Sequence, residues 1–279
     1  MGKADLHIHT TASDGRLSPE EVPALASENG LEVIAITDHD TIDGYFPASE
    51  AGERIGVEVL PGVELTCDFN NRESHLLAYC FDPEDPDFLQ LLAHHKKARL
   101  DRIEWIVGQL TQQGLDIDKN EVRAEAAGGN VGRPHVASVL VKKGYVGSAK
   151  EAFIRYLGNH ALGPIQSYYV SHEEAVERIK GAGGATILAH PGVLYSREEI
   201  EQWIDAGLDG LEVVHSSHNY DQQKKYREMA EQHNLLMTGG SDYHGDGEGY
   251  LRNFGVITTS LAQVEKLKQM TRQRKKISV

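Results

Sequence analysis

Three observations predict an α/β barrel carrying a helical insertion. The chain has 279 residues, close to the roughly 250 that one such barrel needs. Short apolar runs alternate with capped, helix-period segments in its first and last thirds. A set of His, Asp and Glu residues stands directly after those apolar runs, at the end of a parallel barrel where active sites lie.

The first strand is expected at 3–8, where Asp5, His7 and His9 alternate with Leu6 and Ile8. Alternate strand residues share a face, so both imidazoles point the same way. A His-x-His pair is either half a metal site or a polar strand end, and the rest of the chain must decide. After a loop with Asp14 and Gly15, Ser18-Pro-Glu-Glu21 reads as a helix start, with Ser at the N-cap, Pro at N1 and Glu at N3. That helix is expected to run to about Gly30. Val33-Ile-Ala-Ile36 is a buried strand, followed at once by Thr37-Asp38-His39-Asp40. A second helix fills about 43–55, and a third strand at 57–60 leads to Pro61-Gly62-Val63-Glu64. Asn70-Asn71, between Leu65–Cys67 and Ser74–Tyr79, reads as a hairpin turn. The return strand would bring His75 close to Glu64.

From Asp87 to about Gly158 the pattern is helical. A long helix runs to Gly114 and three shorter ones follow, one of them starting after Arg133 with Pro134 at N1 and another near Ser148. This is too much for one barrel crossover. Residues 97–165 are therefore read as a helical subdomain inserted over the barrel mouth, with 1–96 and 166–279 forming the barrel. Barrel helices with long connections are the alternative. Alternation resumes after Gly163-Pro164, with a capped helix start at Ser171-His-Glu-Glu174 and a strand at 185–189 ending at His190-Pro191. Strand 210–214 ends near His215, and Leu235-Leu-Met237 leads into Gly239-Gly240-Ser241-Asp242-Tyr243-His244. A last strand at about 254–258 and a basic C-terminal helix complete the expected order.

Composition narrows the function classes. Hydrophobic residues make up 40% and charged residues 25%, as in ordinary soluble domains. A net charge of −14 argues against a broad basic footprint, so no stable nucleic-acid complex is expected. Cys67 and Cys80 are the only cysteines, which excludes a disulfide framework or thiolate cluster and suggests two buried thiols in a reducing compartment. No apolar run approaches the roughly 20 residues of a membrane span. The N-terminus shows no signal-peptide core, and Leu6 stands where a myristoylation motif wants Ser or Thr. A cytoplasmic location is expected.

His7, His9, His39, Glu64, His190, Asp242 and His244 follow five separate predicted strands. Any one of them has a structural explanation as a cap or hydrogen-bonded core residue. Together they point to a metal centre. Imidazole and carboxylate without thiolate suit Mn²⁺, Fe²⁺ or Zn²⁺. A carboxylate such as Glu64 can bridge two ions, and paired ions suit phosphoryl chemistry because they grip both attacking and leaving oxygens.

These motifs resemble those of the PHP (polymerase and histidinol phosphatase) family of metal-dependent phosphoesterases. Asp5-Leu-His-Ile-His-Thr-Thr-Ala-Ser-Asp-Gly15 matches its first motif and Ile36-Thr-Asp-His-Asp-Thr41 its second. Pro61-Gly-Val-Glu-Leu65 with His75 matches the third, and Ala189-His-Pro191 plus Gly239-Gly-Ser-Asp-Tyr-His244 the fourth. The resemblance implies a distorted (β/α)7 TIM-like barrel with two or three divalent ions, Mn²⁺ foremost and Fe²⁺, Zn²⁺ or Mg²⁺ as alternatives. One ion would take His7, His9, Glu64 and Asp242, a second Glu64, His75 and His190, and a third Asp14, His39 and His244. Many family members carry His where Asp14 stands, a departure that bears on the third site.

Ser13-Asp-Gly15 and the helical segment are most similar to the nucleoside 3′,5′-bisphosphate phosphatases, also described as 5′-to-3′ exoribonucleases acting on short RNA. That similarity implies hydrolysis of the 3′-phosphate of substrates such as adenosine 3′,5′-bisphosphate, or of short 5′-phosphorylated oligoribonucleotides, by a water bridging two cations. It also implies basic groups that hold a substrate phosphate. Arg133 and His135, in Gly132-Arg-Pro-His135, are the first candidates, and Arg99 and Arg102 follow. An arginine fork can donate two hydrogen bonds to one phosphate, although Arg99 and Arg102 would serve equally as a solvated helix face. Asp40, His135 and His218 are candidates to protonate the leaving oxygen, with Asp40 alternatively orienting a ligand histidine. His94, His95, His160, His172 and His233 are expected to have no catalytic role, and His215 is left open.

Competing readings are a phosphatase of another small ester such as histidinol phosphate, an amidohydrolase-type metal hydrolase, and a non-catalytic binding module. The amidohydrolase reading lacks the Lys that often lies between the metals of such barrels. The complete ligand set disfavours a module that has lost its chemistry.

Overall fold

The computed structural model describes residues 2–162, 169–192, 194–245 and 253–277. The expected break at Gly163-Pro164, the 165/166 boundary and the side chain of His160 lie outside what it describes. The first half contains β1 (Lys3–Ile8), α1 (Val22–Glu28), β2 (Leu31–Ile36), α2 (Tyr45–Ile55), β3 (Glu58–Phe69) and β4 (Arg72–Tyr79). The helical segment follows as α3 (Pro86–Gln112), α4 (Lys119–Glu125), α5 (Arg133–Lys142), α6 (Ala149–Ala152), a π-helical turn at Phe153–Leu157, and α7 (Asn159–Leu162). The second half contains α8 (His172–Gly181), β5 (Ala185–Leu188), α9 (Arg197–Asp205), β6 (Gly210–His215), α10 (Tyr220–Gln232), β7 (Leu236–Gly240), β8 (Thr259–Ser260) and α11 (Leu261–Ile277).

The strands form one sheet in the order β7-β6-β5-β4-β3-β2-β1-β8. β1, β2 and β3 run parallel to one another, as do β5, β6 and β7. Between the two sets β4 runs antiparallel to both neighbours. The hairpin at Asn70-Asn71 causes this reversal. Both residues take left-handed backbone, φ 53° and 60°, as a two-residue hairpin turn of this hand requires. The sheet nearly closes on itself just beyond β7, where Tyr243 pairs with Ile8 and its carbonyl accepts from the His9 N–H at 2.9 Å. Closure needs Gly240, because a Cβ there would lie 2.4 Å from that of His7.

Helices cover the sheet through separate apolar clusters. Leu65, Phe69, Leu76 and Leu188 pack with Phe88 of α3, Ile179 of α8, Trp203 of α9 and Tyr226 of α10. Leu6, Val33, Leu77, Tyr79 and Ile187 pack with Val264 and Leu267 of α11. A further cluster is drawn wholly from 103–162, including Ile106, Leu110, Val122, Val136, Leu140 and Leu157. The long helix α3 therefore serves two cores, the barrel's through Phe88 and Leu91 and the helical segment's through Ile103 and Ile106.

Two expected elements differ. Residues 18–21 form a turn, and α1 begins only at Val22. Glu21 does reach back to accept from the Ser18 N–H at 2.8 Å, so half of a capping box forms without a helical turn inside it. The last strand lies at Thr259–Ser260, not 254–258, and pairs antiparallel with Lys3 and Ala4. Cys67 is buried as expected, Cys80 only partly, and both are free thiols. No described helix is long and apolar enough to cross a membrane.

Candidate functional site

Nine side chains expected to hold metal converge at one end of the barrel. Glu64 is their hub. Its Oε2 lies 3.3 Å from His7 Nε2 and 3.2 Å from both His9 Nε2 and His39 Nδ1. Its Oε1 lies 3.0 Å from His75 Nδ1 and 2.8 Å from His190 Nε2. His75 reaches this end because antiparallel β4 begins where the parallel strands finish. Asp242 Oδ1 approaches His7 Nε2 at 3.4 Å and His9 Nε2 at 3.2 Å. Asp14 faces His9, His39 and His244 at 3.7, 3.8 and 3.4 Å.

Three groupings among these ligand atoms are compact enough for one cation each: His7, His9, Glu64 and Asp242; His39, Glu64 and His75; and His9, Asp14, His39 and His244. The first is the set implied by the family resemblance. In the second, His39 takes the place the resemblance gave to His190, while His190 contacts Glu64 Oε1, the oxygen that also faces His75. The third adds His9. Asp242 and His190 reach their places with left-handed backbone, φ 54° and 26°, a conformation that costs energy in non-glycine residues and clusters at functional sites.

The donor set fits divalent cations. His7 Nε2, both ring nitrogens of His9, and His39 Nδ1 are buried without a hydrogen-bond partner. They face carboxylate oxygens that are near but poorly aligned for hydrogen bonds. Buried polar atoms are rarely left this way, and a cation between them would satisfy both. Burial pushes the Glu64, Asp14 and Asp242 carboxyls up, but the histidines around them hold all three well below the usual range. Burial pushes the His39 ring well below its ordinary value.

Residues that the sequence did not single out, together with His215, which it left open, support the cluster. Glu212 of β6 accepts from His7 Nδ1 at 2.9 Å and from the His190 N–H at 2.7 Å. His215 Nε2 lies 3.4 Å from Asp242 Oδ2, and His7, Glu212 and His215 form a further compact group. Asp38 accepts from the Thr10 N–H and from the hydroxyls of Thr10 and Ser13, which fixes the loop carrying Asp14.

A cleft of about 150 Å³ opens from the cluster. Asp14, His39, His75 and His244 line one part of it, and Arg99, Arg102, Arg133 and Glu73 another. Asn130, in the helical segment, donates to the His39 carbonyl at 2.9 Å and so ties that segment to the cluster. Arg99 is heavily engaged, since its Nε donates to Asp40 at 2.5 Å and its Nη2 to Thr66 at 3.0 Å. Arg133 lies 3.3 Å from Glu73, a residue the sequence did not single out.

The expected proton donors do not line this cleft. Asp40 is fully occupied by Arg99, His95 and Thr66; despite its burial, the Arg99 guanidinium holds its carboxyl far below the usual range. His135 Nδ1 accepts from the Gly132 N–H at 2.9 Å and caps α5. His218 donates to the Val213 carbonyl at 3.0 Å and accepts from the Gly192 N–H at 3.0 Å.

Residues 5–163 match the PHP domain family model. The chain is 35% identical to a 5′-3′ exoribonuclease of Haemophilus influenzae, over 87% of this chain and 90% of that one. It is 33% identical to a 3′,5′-nucleoside bisphosphate phosphatase of Chromobacterium violaceum (89% and 90% covered). Against a phosphoribosyl 1,2-cyclic phosphate 1,2-diphosphodiesterase of Eggerthella lenta it is 32% identical (86% and 94% covered). A crystal structure of a candidate metal-dependent phosphoesterase from Bifidobacterium adolescentis superposes with a TM-score of 0.83 at 34% identity, covering 96% of each chain. The chain belongs to the PHP domain family and is a metal-dependent phosphoesterase.

Proposed function

We propose that this phosphoesterase removes the 3′-phosphate of nucleoside 3′,5′-bisphosphates, adenosine 3′,5′-bisphosphate among them, and acts 5′-to-3′ on short 5′-phosphorylated oligoribonucleotides, in the cytoplasm and with Mn²⁺. One observation carries the reading: a single cleft joins the nine-residue ligand cluster to three arginines. A substrate with two phosphates can place one at each end. Two relatives with these activities agree with it.

His7, His9, Glu64 and Asp242 would hold one cation, Glu64, His75 and His190 a second, and Asp14, His39 and His244 a third. Divalent ions there supply charge neutralisation at the phosphoryl oxygens and a water of lowered pKa. The chain's own contribution is placement. Glu212 fixes the His7 ring so that Nε2 faces the cluster. Asp40 holds Arg99 in the cleft wall, His135 caps α5 behind Arg133, and His218 anchors the turn after His190. Residues 97–165 are read as the subdomain that carries the three arginines over the barrel mouth.

The test is phosphate or nucleotide release with Mn²⁺ from adenosine 3′,5′-bisphosphate, a short 5′-phosphorylated RNA, 5′-AMP, histidinol phosphate and phosphoribosyl 1,2-cyclic phosphate, with His7→Ala protein as control. Turnover of the bisphosphate or RNA, abolished in the variant, is the expected result. Turnover of histidinol phosphate or the cyclic ester alone would keep the metal centre and overturn the nucleotide assignment.

A further inference from the structure

Besides Asp14, Glu73 is the only carboxylate among the described residues that line the cleft. It lies on β4 two residues before His75, so both side chains project from one face of the strand. Its position is unexpected in a site meant for anions. An acid beside two cleft arginines could compete with a phosphate, or it could aim them.

Individual donor atoms decide between these roles. Glu73 Oε2 pairs with Nη1 of Arg102, and Oε1 lies 3.3 Å from Nη2 of Arg133. Arg102 itself is 4% exposed, yet its Nε and Nη2 are buried with no hydrogen-bond partner. Those two N–H groups share one edge of the guanidinium plane, the edge that can grip two oxygens of a single phosphate or carboxylate. Tyr169 borders the same guanidinium, its ring centre 6.0 Å from Cζ, and its side chain interacts with the guanidinium without giving Nε or Nη2 a well-aligned acceptor. A charged donor pair left buried and unmade is costly, and the cost is recovered when a ligand brings the acceptors. Arg99 offers no such edge, because Asp40 and Thr66 already take its Nε and Nη2.

We propose that Glu73 is a positioning residue of an oxyanion subsite: by holding Nη1 of Arg102 and Nη2 of Arg133, it presents the Nε–Nη2 edge of Arg102 to the second phosphate of a doubly phosphorylated substrate. The assignment rests on the nucleotide reading above for the identity of that substrate. It makes Arg102 the specificity determinant within the arginine group, and Glu73 the residue through which Arg102 and Arg133 act together.

The test compares Mn²⁺-loaded wild type, Glu73→Gln, Arg102→Ala and the double variant on adenosine 3′,5′-bisphosphate and adenosine 3′-monophosphate. The ratio of kcat/KM for the two substrates is the readout. In Glu73→Gln and in Arg102→Ala the preference for the bisphosphate falls about tenfold, through KM, and the double variant falls no further than Arg102→Ala. A preference that is kept or increased in Glu73→Gln overturns the proposal, as does an additive loss in the double variant. Arg102→Lys, which keeps the charge and removes the fork, shows the same loss and serves if Glu73→Gln does not fold. Should wild type turn over neither nucleotide, the nucleotide reading fails separately. Calorimetric titration with inorganic phosphate then tests the subsite alone: weaker binding in Glu73→Gln and Arg102→Ala supports it, and unchanged binding overturns it.

Discussion

The ring of His7 is fixed at Nδ1 by Glu212, which leaves Nε2 to face Glu64 and Asp242. A carboxylate behind a ligand histidine sets its tautomer and raises its basicity. Glu212→Gln is therefore expected to weaken binding of the cation at His7 by about 10–100-fold, measured by metal titration of the folded variant. An unchanged affinity would remove Glu212 from the account. His7 and His9 were legible because strand period and strand end announce themselves locally. Glu212 was not, because it stands 205 residues away and no spacing links it to His7. The arginines divide in the same way. Sequence placed Arg99 and Arg102 on one helix, but only the positions of Asp40 and Glu73 separate a spoken-for guanidinium from one with an open edge.

Among the elements, the hairpin was the most readable departure from simple alternation, since Asn70-Asn71 carries its own turn chemistry. It converts a strand–helix repeat into an antiparallel return and so delivers His75 to the cluster. The beginning of α1 was misread because Ser18 and Glu21 satisfy each other in an isolated turn as well as in a helix. At the far end of the chain, α11 is pinned to the barrel by Arg274, whose Nη1 and Nη2 reach the Asp209 carboxylate at 3.0 and 2.8 Å. Burial pushes Asp209 up, but Arg274, the Thr186 N–H and Lys180 hold it below the ordinary value of 3.8. Its contribution is thus fully present above pH 3.8 and is lost as pH falls through the lower folded value. Asp209→Asn is expected to cost about 1–3 kcal/mol at neutral pH. In urea unfolding, the gap from wild type should close as pH drops below 3.8. A gap that widens in acid would contradict this reading of the pair.

For the whole molecule, the barrel places residues from β1, β3 and β4 and from the loops after β1, β2, β5 and β7 around one carboxylate, Glu64. Sequence could count the strand ends and their ligands, but closure through Gly240 and Tyr243 is a three-dimensional fact. Some of the chain's −14 charge sits in Glu64, Asp14, Asp242 and Glu212, the carboxylates of this cluster. Packed together without cations they would repel one another, offset chiefly by the histidines among them and by Arg99 near Asp14. The central claim is that this cluster works as a metal centre on a phosphate ester. It is tested most directly by following phosphate release from adenosine 3′,5′-bisphosphate before chelation, after chelator is added and removed, and after Mn²⁺ is restored. The account predicts that release is abolished by chelation and recovered with Mn²⁺ in a protein that stays folded throughout. Release that continues undiminished in metal-free protein would contradict it.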